Sequence, residues 1–105
     1  MAVSVVDNPE RERYELREDD EMIGLSNYHL RDGVIAFTHT EVDAAYGGRG
    51  LGRQLVVSEL DDARRRGLSV LPFCPYVRKV IADNAEAYLS LVPADKRARF
   101  DLPAV

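Results

Sequence analysis

Four glycines in six residues, Gly47, Gly48, Gly50 and Gly52, interleaved with Arg49 and Leu51, make a stretch suited to hold an anion. Glycine tolerates positive φ and lets a ligand come close to the backbone. The residues that follow have helical periodicity. Leu51, Leu55, Val56, Leu60 and Ala63 recur at spacings that give one apolar face. A helix starting here aims unpaired N–H groups and the positive end of its dipole at the loop. That arrangement suits a phosphate or pyrophosphate, and Arg49 adds a mobile cation. Two familiar phosphate loops fail on spacing. No Gly-Lys-Ser/Thr follows, as a Walker A loop requires. Counted from Gly48 or Gly50, the sixth position is Arg53 or Leu55, not the glycine of a dinucleotide fingerprint. A glycine-rich connection without a ligand is the other reading.

Two further groups have residue types that do chemistry. His39 and Glu41 stand two apart on a strand and so share a face. With a pKa near 7, such a base could deprotonate an amine; a surface or hydrogen-bonded pair is the alternative. Cys74 follows an apolar run and precedes Pro75, which suits a helix first turn. A cysteine at a helix start gains thiolate character; a buried structural thiol is the other reading.

The elements that must position these groups follow from patterning. Val3–Val6 reads as a strand, and Asp7-Asn8-Pro9 as a turn. Arg13–Arg17 alternates, with Tyr14 and Leu16 on one face. Glu18–Glu21 reads as a solvated charged turn. Met22–Leu30 is a third strand, Arg31-Asp32-Gly33 a hairpin turn, and Val34–Val42 a fourth strand. Four strands with short links imply an antiparallel meander. On the fourth, Ile35, Phe37, His39 and Glu41 are expected on one face. On the helix after the loop, Glu59, Asp61, Asp62, Arg64 and Arg65 are assigned mostly to the polar face, and Gly67 is the stop. Leu68–Phe73 is a buried strand parallel to the fourth. Pro72 cannot donate to a ladder, so the sheet should splay there. A helix then runs through Ala82, Asp83-Asn84 caps another, and a polar tail from Pro93 is left mobile or docked on a neighbouring molecule.

Composition limits the function classes. The chain has 105 residues, 46% hydrophobic and 30% charged, an ordinary globular balance for one α/β (α+β) domain over 1–105. A net charge of −4 points away from nucleic acid. No apolar run is long enough to span a membrane and no signal-peptide pattern is present, so a cytoplasmic location is expected. One cysteine and two separated histidines make a metal site unexpected.

The glycine run resembles the acetyl-CoA-binding motif of the GNAT acetyltransferase superfamily, [Arg/Gln]-x-x-Gly-x-[Gly/Ala], which follows a strand and opens a helix. Gly50, Leu51 and Gly52 match its second half, while Gly47 stands where the family has Arg or Gln. His39-Thr40-Glu41-Val42 and Cys74-Pro75-Tyr76 resemble small single-domain members with a Cys-Pro-[Phe/Tyr] motif. The resemblance runs from about the second strand to Tyr88. It implies a minimal acyl-CoA N-acyltransferase fold and acetyl transfer from acetyl-CoA to an unidentified amine. It places the pyrophosphate on Gly47, Gly48, Arg49, Gly50, Leu51, Gly52 and Arg53. It places the acetyl arm near main-chain groups of Val42 and Asp43, with Cys74 and Pro75 at its end. Cys74 is then the first catalytic candidate, as an acetyl acceptor or a thioester contact, with Glu41 and His39 as base candidates. Tyr88 resembles the family tyrosine that protonates the departing sulfur; an amphipathic core tyrosine is the alternative. Family members carry one or two helices between their first two strands. About five residues stand there in this chain, so the acceptor cleft is expected to be open, or completed by a second copy in a homodimer. A non-catalytic CoA-binding module is the second hypothesis.

Overall fold

The computed structural model describes residues 3–104. Five strands, β1 (Val3–Asn8), β2 (Arg13–Glu18), β3 (Glu21–Arg31), β4 (Val34–Val42) and β5 (Ser69–Pro72), form one sheet in that order. The first three pairings are antiparallel and β4–β5 is parallel. The helices are α1 (Leu51–Arg65), α2 (Pro75–Asp83) and α3 (Ala85–Tyr88). This is the mixed α+β sheet that the strand and helix patterns imply.

Short links set the meander. Only a 3₁₀ turn, Pro9–Arg11, joins β1 to β2, so no helix stands between them. Asp32 and Gly33 both have positive φ, 51° and 79°, the geometry of a two-residue hairpin whose twist matches its strands. Gly24 lets β3 cross close to β4: a Cβ there would stand 2.9 Å from the Glu41 carbonyl oxygen.

The core is where periodicity placed it. Tyr14, Leu16, Ile23, Tyr28, Ile35 and Phe37 from the sheet are buried with Leu51, Leu55, Val56, Leu60 and Ala63 of α1. The rings of Tyr14, Tyr28 and Phe37 meet with centroids 5.4–6.4 Å apart. Gly67 ends the α1 segment at φ 70°.

Four expectations are corrected. Glu59 is not on the polar face of α1: it is fully buried, because it lies four residues from both Leu55 and Ala63. Glu18 is not solvated. It turns inward and binds Arg49 at 2.6 Å. Asn84 stands at the N-cap of α3 but makes no side-chain cap bond there. Its side chain donates back to the Val80 carbonyl at 2.9 Å, closing α2 instead. The segment after Pro93 folds back on this chain: Phe100 and Leu102 are buried, and Phe100 packs edge-on against Phe73 at 5.2 Å. Arg97 holds the return by donating to the Val92 and Ala104 carbonyls.

Candidate functional site

The site begins where two strands part. The β4–β5 pairing runs from Val34 opposite Ser69 to Phe37 opposite Pro72 and stops. Pro72 has no N–H, and the Phe73 amide turns back to the Leu71 carbonyl. The Cys74 amide makes one more contact across the gap, donating to the Phe37 carbonyl at 2.9 Å. Beyond it, residues 38–42 of β4 continue without a parallel partner.

A bulge then reorients that free stretch. Tyr28 faces Phe37 and Asn27 faces His39, which leaves Thr38 as the extra residue on β4. One added residue reverses the faces of a strand. The expectation that Ile35, Phe37, His39 and Glu41 share a face is therefore corrected. Ile35 and Phe37 are buried, while His39 and Glu41 face solvent at 60% and 61% exposure. They do meet each other, with Nε2 and Oε1 3.5 Å apart. Thr40 turns inward in their place, and its Oγ1 accepts from the Cys74 thiol at 3.4 Å.

The resemblance also pointed to Val42 and Asp43. The Asp43 amide donates to the Ile23 carbonyl at 2.8 Å, and its carboxylate caps the next turn through the Ala45 amide. Successive strand amides point to opposite edges. The Val42 amide, one residue back, therefore points into the opening.

The loop lies at the end of the same strand. Gly48 and Gly50 take φ of 80° and 71°, where other residues are strained, and nothing crowds the space a Cβ would enter. Gly50 is the N-cap of α1 and no side chain caps the helix. The amides of Leu51, Gly52 and Arg53 thus lack partners within the helix and face outward with its dipole. Arg49 is not a mobile cation: it is held by Glu18 and stacks 5.6 Å over the Tyr46 ring. Arg53 reaches the Asn84 side chain at 3.4 Å. Beside it, a pocket of about 280 Å³ is lined by Arg53, Tyr76, Lys79, Val80, Asp83 and Asn84. Gly52 has a different role from Gly48 and Gly50. The Tyr76 ring lies 3.3–3.5 Å from its Cβ position, so it packs the Cys-Pro-Tyr turn onto the loop.

Cys74 stands between these parts. It is the N-cap residue of α2, Pro75 fills the first helical position, and the side chain is buried. Beneath it lies a group that sequence reasoning missed. Glu59 projects from α1 into the same interior, and neither of its oxygens completes a hydrogen bond. Burial pushes its carboxyl well above the usual range, the nearby Ser26 opposes that, and Cys74 adds to the rise. Its spacing from Leu55 and Ala63 was the signal that could have found it. Thr40 was hidden by the bulge, whereas Ser26 lies two residues from Tyr28 on β3 and shares its buried face.

Tyr88 is placed elsewhere. Its hydroxyl donates to Asp61 at 3.0 Å and its ring faces Arg64. Burial first, then Asp61, pushes that hydroxyl above its ordinary range. The structure brings Cys74 together with Thr40, His39 with Glu41, and leaves Tyr88 tied to α1. Among the described residues no group of three or more His, Cys, Asp or Glu could hold a metal ion. No helix among them is long and apolar enough to cross a membrane.

Known proteins share this fold. The family model described as GCN5-related N-acetyl-transferase matches residues 13–91. The solution structure of a GCN5-like N-acetyltransferase from Staphylococcus aureus superposes with a TM-score of 0.63 at 17% identity, over 86% of this chain and 87% of that one. A ribosomal-protein-alanine N-acetyltransferase from Brucella melitensis gives 0.53 at 19% identity, over 77% of this chain and 60% of that one. An N-acetylglutamate synthase from Neisseria gonorrhoeae, complexed with coenzyme A and N-acetyl-glutamate, gives 0.52 at 16% identity. This alignment covers 86% of this chain and 22% of the synthase. No curated protein matches the chain.

Proposed function

We infer, given that this chain belongs to the GCN5-related N-acetyltransferase family, that it transfers acetyl from acetyl-CoA to an amine, with Cys74 as the residue at the thioester. The observation that carries this reading is the parting of β4 from β5 at Phe37 and Pro72, with the Cys74 thiol at its vertex and the uncapped start of α1 beside it.

The residues fit the co-substrate. The open amides from Gly48 to Arg53 suit a pyrophosphate. The free edge of β4, through the Val42 amide, suits the amide groups of a pantetheine arm. The pocket beside Arg53 offers room for the nucleotide end. Arg49 contributes by fixing the loop to β2 through Glu18.

Cys74 would take the acetyl group as a thioester and pass it to the amine. His39 and Glu41, side by side and exposed, suit an acceptor arriving from solvent, with His39 able to take the amine proton. The cytoplasm supplies such acceptors, and the absence of a helix between β1 and β2 leaves the acceptor side open to a second copy of the chain.

That same missing wall favours a second reading, a CoA-binding module without turnover. Calorimetry with acetyl-CoA and CoA tests the shared premise. Gly50→Glu, which places a charged residue at a positive φ against the anion, should weaken binding at least about 100-fold. Wild type that binds neither ligand at millimolar concentration would sink both readings. Binding without acetylation of any amine in a panel would leave the module.

A further inference from the structure

Glu59 is a buried polar group that acetyl transfer, as just described, does not use. It is fully enclosed, its two oxygens have no hydrogen-bond partner, and no cation pairs with it among the described residues. Burying such a group is costly. Its surroundings connect it to the thiol. Ser26, fully buried on β3, acts on the carboxyl against the effect of burial. The Ser26 hydroxyl stands 3.5 Å from that of Thr40 on β4, and Thr40 stands 3.4 Å from the Cys74 sulfur. Four polar side chains from four parts of the fold thus run from α1 to the thiol.

We propose that Glu59 is a positioning residue, the proton-bearing end of a hydrogen-bond chain through Ser26 and Thr40 that stabilises the Cys74 thiolate. The proposal rests on the reading of Cys74 as the acyl-accepting residue. Ser26 on β3 and Cys74 in the β5–α2 connection act on the carboxyl, and Thr40 on β4 bridges those two. Burial pushes the Glu59 carboxyl well above the usual range, and Cys74 adds to the rise. While the thiol is intact, S–H donates to Thr40 and Thr40 to Ser26, and the Glu59 oxygens stand without partners. When the thiol loses its proton to water, every donor reverses. Glu59 then donates to Ser26, Ser26 to Thr40, and Thr40 to the sulfur. The sulfur's electron pair forms a bond to the acetyl carbonyl carbon, the bond from that carbon to the CoA sulfur breaks, and CoA leaves as a thiolate that takes a proton from water. Contacts of 3.4–3.5 Å suit a resting chain that tightens with charge.

The test is the rate at which iodoacetamide alkylates Cys74 near pH 7.5, read by intact mass, with acetylation by acetyl-CoA read in parallel. Cys74 is the chain's one cysteine, so the mass change is unambiguous. Glu59→Gln keeps a neutral donor and should stay within about 3-fold of wild type. Glu59→Leu and Thr40→Val break the chain and should slow alkylation about 10-fold or more, with thermal melts confirming a fold. Wild-type rates in Glu59→Leu would overturn the proposal. So would a Glu59→Gln variant as slow as Glu59→Leu, since it would mean that an ionised carboxylate is needed. The expected alkylation pattern in a protein that takes no acetyl group from acetyl-CoA would support the chain and sink the acyl-cysteine route.

Discussion

Two buried glutamates in this molecule are treated in opposite ways. Glu15, on β2, accepts from Asn8, Arg13 and Arg17 at 2.8–3.1 Å. Asn8 first, with the two arginines, pulls its carboxyl down to about 2 against the opposing effect of burial. Glu59, on α1, has Ser26 within reach and no cation, and burial pushes it up. The first carboxylate ties the β1–β2 edge together, at the far side of the sheet from the opening between β4 and β5. The second is left unpaired beneath the cysteine. A buried carboxyl is tolerated when its charge is matched; one left unmatched gives up stability, and in this fold it lies beside the thiol.

The sharpest way to break that contrast is to replace both by leucine. Glu15→Leu strands Arg13 and Arg17 and should cost about 2–3 kcal/mol in urea unfolding. Glu59→Leu removes an unpaired buried carboxyl and should gain about 1–2 kcal/mol. A loss of stability at both positions would mean that Glu59 has a structural partner after all.

A smaller effect separates the two by pH. The Glu15 carboxyl is depressed on folding from its ordinary 4.5, so its contribution is present above that value and lost as pH falls toward about 2. The Glu59 carboxyl is raised on folding. Its contribution is therefore full below the ordinary 4.5 and lost as pH climbs toward its folded value. Melting temperatures across pH should show Glu15→Gln flattening the acid arm and Glu59→Gln the alkaline arm. The reverse assignment, or no change in either arm, would remove the distinction.

The smallest expected effect concerns Tyr88. Its hydroxyl belongs to the Asp61 contact rather than to the opening. Tyr88→Phe should cost about 1 kcal/mol of stability and change acetyl transfer less than about 3-fold. A large fall in turnover with unchanged stability would restore Tyr88 as the proton donor to the departing sulfur.

Much of this was legible in the sequence. Local signals gave the glycine loop, the apolar face of α1, the hairpin at Asp32-Gly33 and the end of pairing at Pro72, because each depends on neighbours in the chain. The bulge at Thr38 was not legible. It depends on how β3 and β4 slip past one another at Asn27 and Tyr28, and it moves His39 and Glu41 to solvent while turning Thr40 inward. Glu59 was legible by spacing and obscured by residue type, since a glutamate is rarely buried without a partner. Glu18 is buried by an arginine 31 residues away, which no local pattern announces. The segment after Pro93 was read from its polar residues, whereas Phe100 and Leu102 decide where it goes.

The central claim is that the chain takes acetyl-CoA in the opening between β4 and β5, with the α1 loop at its phosphate end. Amide NMR during titration with CoA tests it most directly. The account predicts the largest shifts at Gly48, at Gly50 through Arg53, at Val42 and at Cys74, with the amides of β1 and Glu15 unmoved. Shifts concentrated on β1 and β2, or none at millimolar CoA, would contradict it.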